Sequence, residues 1–575
     1  MLEVTDRSGL ARAGRWLAGQ SKAAFPNVLF HHSPVFPAPQ YAEMTISRHE
    51  GLRIDLPSQE GAAWMPEEML VPLDQLRDRG SVQEGSNAVI VRGSPCGLNG
   101  RDEDLFVLGN AFELRRDARA FVEAVTALRE VVGYHRLIYA PGIMDPSNLA
   151  LLVYCGIDLF DSSLLLYQAS RGRALMVEGS VQAEEAPWLV PEGGDIARYN
   201  LDAAWKELQL VRHMVKVGRL RELVETRVNA TPWAVAALRI MDLEHYGPQE
   251  RYAPVVGPSF YCNSKASLLR PDVWRFRRRV VERWEPAPHK KVLLLIPCSA
   301  KKPYYTSKSH RMFEEVLLSV PNSCAVQELI ITSPLGAVPR EVETLYPAAQ
   351  YDIPVTGNWD REEVAMVQNM VRKAASFGFT KVICHLGAES GFVQDAIEGD
   401  CVDTTEGESV TAPAALERMR NALVAACEAV EKVPRAVDRV EMMRSVARFQ
   451  FGKEGEALLD GTGIVGKYPF LKIMKGNAQL GMLTPDRGMI SLTMDGGKIL
   501  MERQLNQVCM GDFDLTGNLF AVGVTSADER IRPGDEAVIV RNGEIEGVGV
   551  AVMSGAEMAE AKRGEAVRMR HKRKR

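Results

Sequence analysis

The sequence predicts a multidomain α/β protein, and three observations predict it. Strand and helix patterns alternate through most of the chain. Val292–Pro297 is a continuous apolar run, the sign of a parallel strand buried on both faces. The final stretch changes to short strands separated by turn signals, the pattern of a small all-β barrel. At roughly 100–200 residues per domain, the 575 residues accommodate three to five domains.

The elements divide as follows. Residues 1–285 mix short apolar runs with amphipathic helices. Asp117–Val132 reads as a helix, Arg136–Ala140 as a strand, and Pro141-Gly142 as a turn. Leu201–Arg227 is a long helical pattern with Ala204, Leu208, Val211 and Val215 on one face. This alternation predicts an α/β barrel or layered sheet. Pro286 and Pro288 disfavour helix on both sides and set a boundary near 282–290. Residues 290–433 then read as a three-layer α/β domain: the strand Val292–Pro297, the helix His310–Val320, the strand Ala325–Ser333, the helix Arg361–Gly378, the strand Lys381–Leu386 and a further helix. A softer boundary near Pro434 opens a small α+β domain over 436–490. Residues 492–575 carry turns at Asp495-Gly496-Gly497, Arg532-Pro533-Gly534-Asp535 and Asn542-Gly543, the last a hairpin between Ala537–Arg541 and Glu544–Ala551.

Composition excludes several classes. With 46% hydrophobic and 25% charged residues, the chain is neither disordered, collagen-like nor a disulfide scaffold. Lys+Arg 69 against Asp+Glu 74 gives a net charge of −5, so any nucleic-acid surface has to be a local patch. The apolar run Leu149–Phe160 is interrupted by Asp158 and too short to span a bilayer. The N-terminus lacks the apolar core of a signal peptide, and the nine scattered cysteines show no CxxC or CxC spacing. These features predict a cytoplasmic protein with no membrane partner, no structural zinc and no bound cofactor.

Two stretches concentrate reactive groups. The loop after Val292–Pro297 holds Cys298, Lys301, Lys302, Tyr304, Tyr305, Ser307, Lys308 and His310. Cations close in sequence favour thiolate at Cys298, and His310, opening a helix, can exchange protons. The alternative is a solvated loop in which Cys298 packs as a small hydrophobe. The second stretch is Gly156-Ile157-Asp158-Leu159-Phe160-Asp161-Ser162-Ser163. Its paired carboxylates suit a nucleophile with an orienter, or else a turn cap at Asp158 and an ion pair from Asp161 to Arg171 or Arg173.

Three further features bear on partners and metals. Arg568, Arg570, Lys572, Arg573, Lys574 and Arg575 form a basic end suited to phosphate contact, or a solvated tail. Trp274–Arg279 interleaves aromatics with cations, as a stacking surface or as one end of an amphipathic helix. Cys384 and His385 are adjacent on a strand and point to opposite faces, which argues against a shared metal, whereas Glu389-Ser390 is expected to face the Cys298 cleft.

The thiol loop fits the pattern PC-x3-KPY-x2-S-x2-H through Pro297, Cys298, Lys302, Pro303, Tyr304, Ser307 and His310. This resembles the signature of the archaeosine synthase family, archaeal tRNA-modifying paralogues of tRNA-guanine transglycosylase. Ser333–Arg340 and Tyr351–Gly357 look like the rest of that domain. Ala447–Gly452 is similar to the family's linker domain, and Leu519–Val524, Arg532–Asp535 and Gly547–Val552 look like a PUA domain, an RNA-binding β-barrel. The N-terminal half looks like a degenerate, TIM-barrel-like transglycosylase domain in which Asp161 matches the nucleophile position. The Asp-Ser-Gly-x-Phe-Gln motif is absent, and residues 177–200 contain no Cys where zinc ligands are expected.

The resemblance implies a transferase acting on tRNA that carries the nitrile base preQ0 in its D-loop. It joins free lysine, through the side-chain amine, to the nitrile carbon, and a radical S-adenosylmethionine partner then releases the formamidine. The implied catalytic set is Cys298, Lys302, Tyr304, Ser307 and His310. A preQ0-inserting transglycosylase and a non-catalytic tRNA-binding subunit are the alternatives, and a homo-oligomer stays open.

Overall fold

The computed structural model describes residues 2–573 apart from 49, 50, 58, 66–81, 86, 94, 96, 97, 99, 100 and 102. Lys574 and Arg575 therefore lie outside the described residues. The chain forms two compact units. One is Met1–Pro254 with Phe520–Val524 and Met553–Ala566; the other is Val255–Leu519 with Thr525–Val552 and Val567–Arg575.

In the first unit, nine described strands form one sheet in the order Gln59–Met65, Leu52–Leu56, Thr45–Arg48, Asn27–His31, Leu159–Asp161, Leu137–Tyr139, Leu105–Leu108, Ala88–Val91 and Val82–Glu84. The six from Thr45–Arg48 to Ala88–Val91 run parallel, and the outer three pair antiparallel. The sheet curls until its ends meet: a side chain at Gly85 would lie 2.2 Å from the Trp64 carbonyl oxygen. Leu29, Ile46, Ile54, Ala63, Ile90, Val107, Leu137 and Leu159 share one apolar cluster. Residues of opposite parity, among them Val28, Phe30, Phe106, Ile138 and Phe160, are buried on the other face. This is the expected barrel, with some of its strands antiparallel.

Local chemistry fixes the helices. Asp117 caps Ala118–Val132 by accepting from Arg119 N and Ala120 N, and Gly133, at φ 74°, ends it. The long helical pattern expected over Leu201–Arg227 is two helices, Ile196–Lys216 and Leu220–Arg227, because Gly218 between them takes φ 70°.

Asp158 is neither a turn cap nor a reagent. Its carboxylate is buried and held bidentate by Arg12 (2.9 and 3.0 Å), with Arg129 at 2.8 Å and the Ile138 N–H at 2.9 Å. Burial pulls its pKa up, and the two guanidiniums outweigh that and hold it below the usual range.

The second unit is built on a five-stranded sheet in the order Gly336–Pro339, Val326–Thr332, Val292–Pro297, Lys381–Cys384 and Cys401–Asp403. Val292–Pro297 is central and parallel to both neighbours, which is why it is apolar throughout. Helices Lys308–Ser319 and Pro413–Glu428 pack together on one side, and Pro271–Glu282 and Arg361–Ala375 pack near Gly336–Pro339. Helix Pro271–Glu282 belongs here, since Val273, Phe276, Val280 and Trp284 enter this core. The division between the units therefore falls at Pro254–Val255, and the prolines of 282–290 mark a loop inside the second unit.

Helix Arg435–Phe451 leads into a four-stranded antiparallel sheet, Gly463–Lys467, Phe470–Lys475, Ala478–Leu483 and Ile490–Leu492. A six-stranded sheet follows, with Glu536–Arg541, Glu544–Ala551 and Glu565–Lys572 adjacent in it.

The basic C-terminal end is a strand rather than a tail. Glu565–Lys572 pairs antiparallel with Glu544–Ala551. Arg570 donates to Glu536 at 2.6 and 2.9 Å, and Glu536 is fully buried, also accepting from Arg487 and from Leu492 N–H. Arg573 pairs with Glu544, and Lys572 donates to the Thr516 carbonyl. Arg568 and Lys572 are exposed. Arg570→Ala is therefore expected to lower the melting temperature, because it removes a partner from a buried carboxylate. Thermal melts of the variant and the wild type check this.

Candidate active site

The strand Val292–Pro297 delivers Cys298 to the carboxyl edge of the sheet, where open α/β folds place ligands. Its parallel register sets Pro297 beside Ile331, and Cys298 N–H donates to the Ile331 carbonyl at 3.1 Å. Thr332, one residue further along the neighbouring strand, hydrogen-bonds the thiol. From Thr332 a run of hydroxyls continues: its Oγ1 meets Tyr351 OH at 2.5 Å, and Tyr351 OH meets Tyr304 OH at 2.6 Å. Both tyrosines are buried, which pushes their pKa values up and keeps the phenols protonated.

Lys302 sits with its Nζ 4.1 Å from the Tyr351 ring centroid. No carboxylate lies within salt-bridge distance of it among the described residues. Burial lowers its pKa. The Cys298 pKa departs from expectation: burial pushes it up, and the Thr332 hydrogen bond and the Lys302 charge only partly oppose this. The charge of Glu389 adds to the rise of the thiol's pKa.

Two loop residues support the site rather than face it. Ser307 caps helix Lys308–Ser319, accepting from His310 N–H at 3.3 Å. His310 is buried between the rings of Tyr304 and Phe313. Its Nδ1 accepts from Arg340 at 2.8 Å. Burial and the Arg340 charge lower its pKa to about 3, so the ring is neutral at ordinary pH. Because the folded pKa is depressed, the contribution of neutral His310 to stability is whole above the unfolded value of about 6.5. It is lost as pH falls from there toward 3. The pH dependence of unfolding, compared between the wild type and His310→Asn, measures this.

Sequence reasoning missed the groups behind the loop. Arg340 reaches Glu328 through Nε (2.9 Å) and Nη2 (2.6 Å), and Glu343 through Nη1 (3.1 Å). Glu343 is fully buried and also accepts from Tyr305 N–H at 3.0 Å and Tyr468 OH at 3.2 Å. Burial raises its pKa against the pull of Arg340. The run Arg340-Glu341-Val342-Glu343, charged yet set between apolar segments, was the available signal.

The other candidates resolve as follows. Asp161 ends its barrel strand buried, accepting from Tyr139 OH (2.6 Å), Gly142 N–H (3.0 Å) and Ser163 N–H (2.7 Å) rather than from Arg171 or Arg173. His385 spends both ring nitrogens, on Thr404 Oγ1 and the Val410 carbonyl. Cys384 Sγ lies 3.0 Å from Cys401 Sγ. In the Trp274–Arg279 stretch Phe276 is core, Arg275 is buried, Arg277 donates to the Leu268 carbonyl and Arg278 pairs with Glu282, so it is an amphipathic helix. Among the described residues, no group of three or more His, Cys, Asp or Glu could hold a metal ion. The zinc that the transglycosylase fold implies thus has no donor set there.

Family models agree with this layout. Residues 72–191 match the queuine tRNA-ribosyltransferase model, 514–573 match the PUA domain, and 273–423, which hold the thiol loop, match a domain of unknown function. The fold and these matches define a tRNA-modifying transferase. The chain is 34% identical over 506 residues to the archaeosine synthase subunit alpha of Methanosarcina acetivorans, covering 82% of this chain and 80% of that protein. It is 36% identical to the one from Thermococcus kodakarensis (81% and 80%). It is 24% identical to a tRNA-guanine(15) transglycosylase of Methanobrevibacter smithii (82% and 72%). The chain belongs to the archaeosine synthase alpha-subunit family. No helix among its described residues is long and apolar enough to cross a membrane.

Proposed function

We propose that the chain joins free lysine, through its side-chain amine, to the nitrile of preQ0 in the tRNA D-loop, with Cys298 as the nucleophile. The observation that supports this is the cluster at the sheet's carboxyl edge, where a thiol, a lysine without a carboxylate partner among the described residues and a run of buried hydroxyls are neighbours.

In the first step the sulfur bonds to the nitrile carbon and one C–N π bond breaks. The thiol proton ends on the nitrile nitrogen, giving a thioimidate. The Thr332 hydroxyl, backed by Tyr351 and Tyr304, is placed to pass it. In the second step the neutral lysine amine bonds to the same carbon, the C–S bond breaks and a proton returns to sulfur. The product is an amidine and the thiol is regenerated. Lys302 receives the carboxylate of the incoming amino acid, and His310, Ser307 and Arg340 hold the loop in place.

A radical S-adenosylmethionine enzyme is the partner that would act on the amidine. Arg568, Lys572, Arg573, Lys574 and Arg575 are the proposed tRNA phosphate contacts of the last module, with Arg570 as its internal anchor.

Incubation with preQ0-containing tRNA and labelled lysine tests the reading, with labelled guanine exchange run in parallel. Lysine incorporation without guanine exchange is the expected result. Guanine exchange abolished by Asp161→Asn would favour a transglycosylase. Neither activity, with tRNA still bound, would leave a binding subunit.

A further inference from the structure

The solvent face of the four-stranded sheet is a second basic surface, distinct from the C-terminal strand. Residues 461–483 contain Lys467, Lys472 and Lys475 and no Asp or Glu, in a chain whose net charge is −5. Among the described residues none of the three lysines has an ion-pair partner. Strand Phe470–Lys475 alternates exposed and buried residues, so Leu471 and Ile473 enter the core and Phe470 and Lys472 face solvent. Register sets Lys467 opposite Phe470 and Val465 opposite Lys472, with Met482 on the far side of Lys472, so these two lysines share the face with Phe470; Lys475 has the parity of Leu471 and Ile473 and is exposed at the strand's end. Phe470 is 53% exposed and Val465 57%, an aromatic and an aliphatic side chain lying open between cations.

The hairpin that carries this face packs against the thiol loop through its turn. Tyr468, in the turn of the same hairpin, donates to Glu343 at 3.2 Å, and its ring meets Tyr305 edge-on at 5.3 Å. Tyr305 follows Tyr304 in the thiol loop, and its N–H donates to the other oxygen of the same carboxylate.

We infer that the hairpin Gly463–Lys467 and Phe470–Lys475 binds the tRNA strand that leads toward the thiol loop, with Lys467 and Lys472 on phosphates along one face, Lys475 on a phosphate at the strand's end and Phe470 stacked on an unpaired base. Exposed aromatics interleaved with unpaired cations bind single-stranded nucleic acid in this way, whereas a protein-docking face would bring carboxylates to pair with the lysines or a wider apolar area. The inference rests on the chain acting on tRNA, as proposed above.

The test uses the full chain and an in vitro transcribed tRNA lacking preQ0, with affinity measured across a salt series. Replacing Lys467, Lys472 and Lys475 together by Ala should flatten the log–log salt slope by about two units, at about 0.7 for each phosphate on a single strand. Phe470→Ala should weaken binding by about fivefold or more at every salt concentration, and Phe470→Trp should restore it. All four side chains are exposed, so unchanged melting temperatures separate lost contacts from lost fold.

If the wild type binds tRNA and both variants keep its affinity and slope, the surface is wrong while the tRNA reading stands. If Phe470→Ala loses affinity but the triple variant keeps the slope, the face makes an apolar contact of another kind and the inference also falls. A wild type that binds no tRNA overturns the functional reading and this surface together.

Discussion

Cys298→Ala is expected to abolish lysine transfer, by about 10³-fold or more, while tRNA affinity changes little. A nucleophile that bonds to substrate contributes to the transition state and hardly to ground-state binding. Cys298→Ser should be nearly as poor, because a hydroxyl is far less ionised than a thiol at neutral pH. Single-turnover transfer of labelled lysine, with tRNA binding measured on the same preparations, separates the two effects. A Cys298→Ala enzyme that keeps most of its rate would remove the thioimidate and leave direct attack by the amine.

The thiol's environment adds a signed expectation. Burial raises the Cys298 pKa and Lys302 opposes that rise. Lys302→Met should therefore move it further up, so that alkylation of Cys298, followed by mass spectrometry, requires a higher pH in the variant.

Loss of Asp158 should be strongly destabilising. Asp158→Asn leaves Arg12 and Arg129 buried without their counter-charge, and breaking a buried ionic cluster in this way costs about 3–5 kcal/mol. Thermal or denaturant unfolding of the variant measures it. The same site predicts acid sensitivity. The folded carboxylate titrates below its unfolded value of about 3.9, so its contribution is whole above that pH and is lost as pH falls through the depressed folded value. An Asp158→Asn protein should lack this acid limb.

The central strand and the thiol loop were legible because their signals are local. Val292–Pro297 is apolar without interruption, and the loop after it crowds its reactive side chains into consecutive positions. Thr332, Arg340, Glu343 and Tyr351 were not legible as site residues. They join the loop through the parallel pairing of Val292–Pro297 with Val326–Thr332 and through the turns after it, and no spacing rule in one sequence encodes that pairing. The burial of His310 and its bond from Arg340 were not legible for the same reason.

The basic end was misjudged for a different reason. Six cations in eight residues look like a solvated tail, yet Arg568, Arg570 and Lys572 recur at every second position, the period of a strand. Helix Pro271–Glu282 was assigned to the wrong unit because the prolines after it mark a loop, and a loop is not always a domain boundary.

Arg340 has a consequence for how this sequence can drift. Its guanidinium serves Glu328, Glu343 and His310 through separate N–H groups pointing in fixed directions. Lysine keeps the charge but offers one compact ammonium that cannot span all three acceptors. The most conservative mutational step is thus closed at this position. Glutamine would shed the charge and strand two acids, so that step is closed as well unless Glu328 or Glu343 changes at the same time. Position 340 is held in place by its neighbours as a group, and descendants of this chain can leave arginine only by compensated, paired replacement.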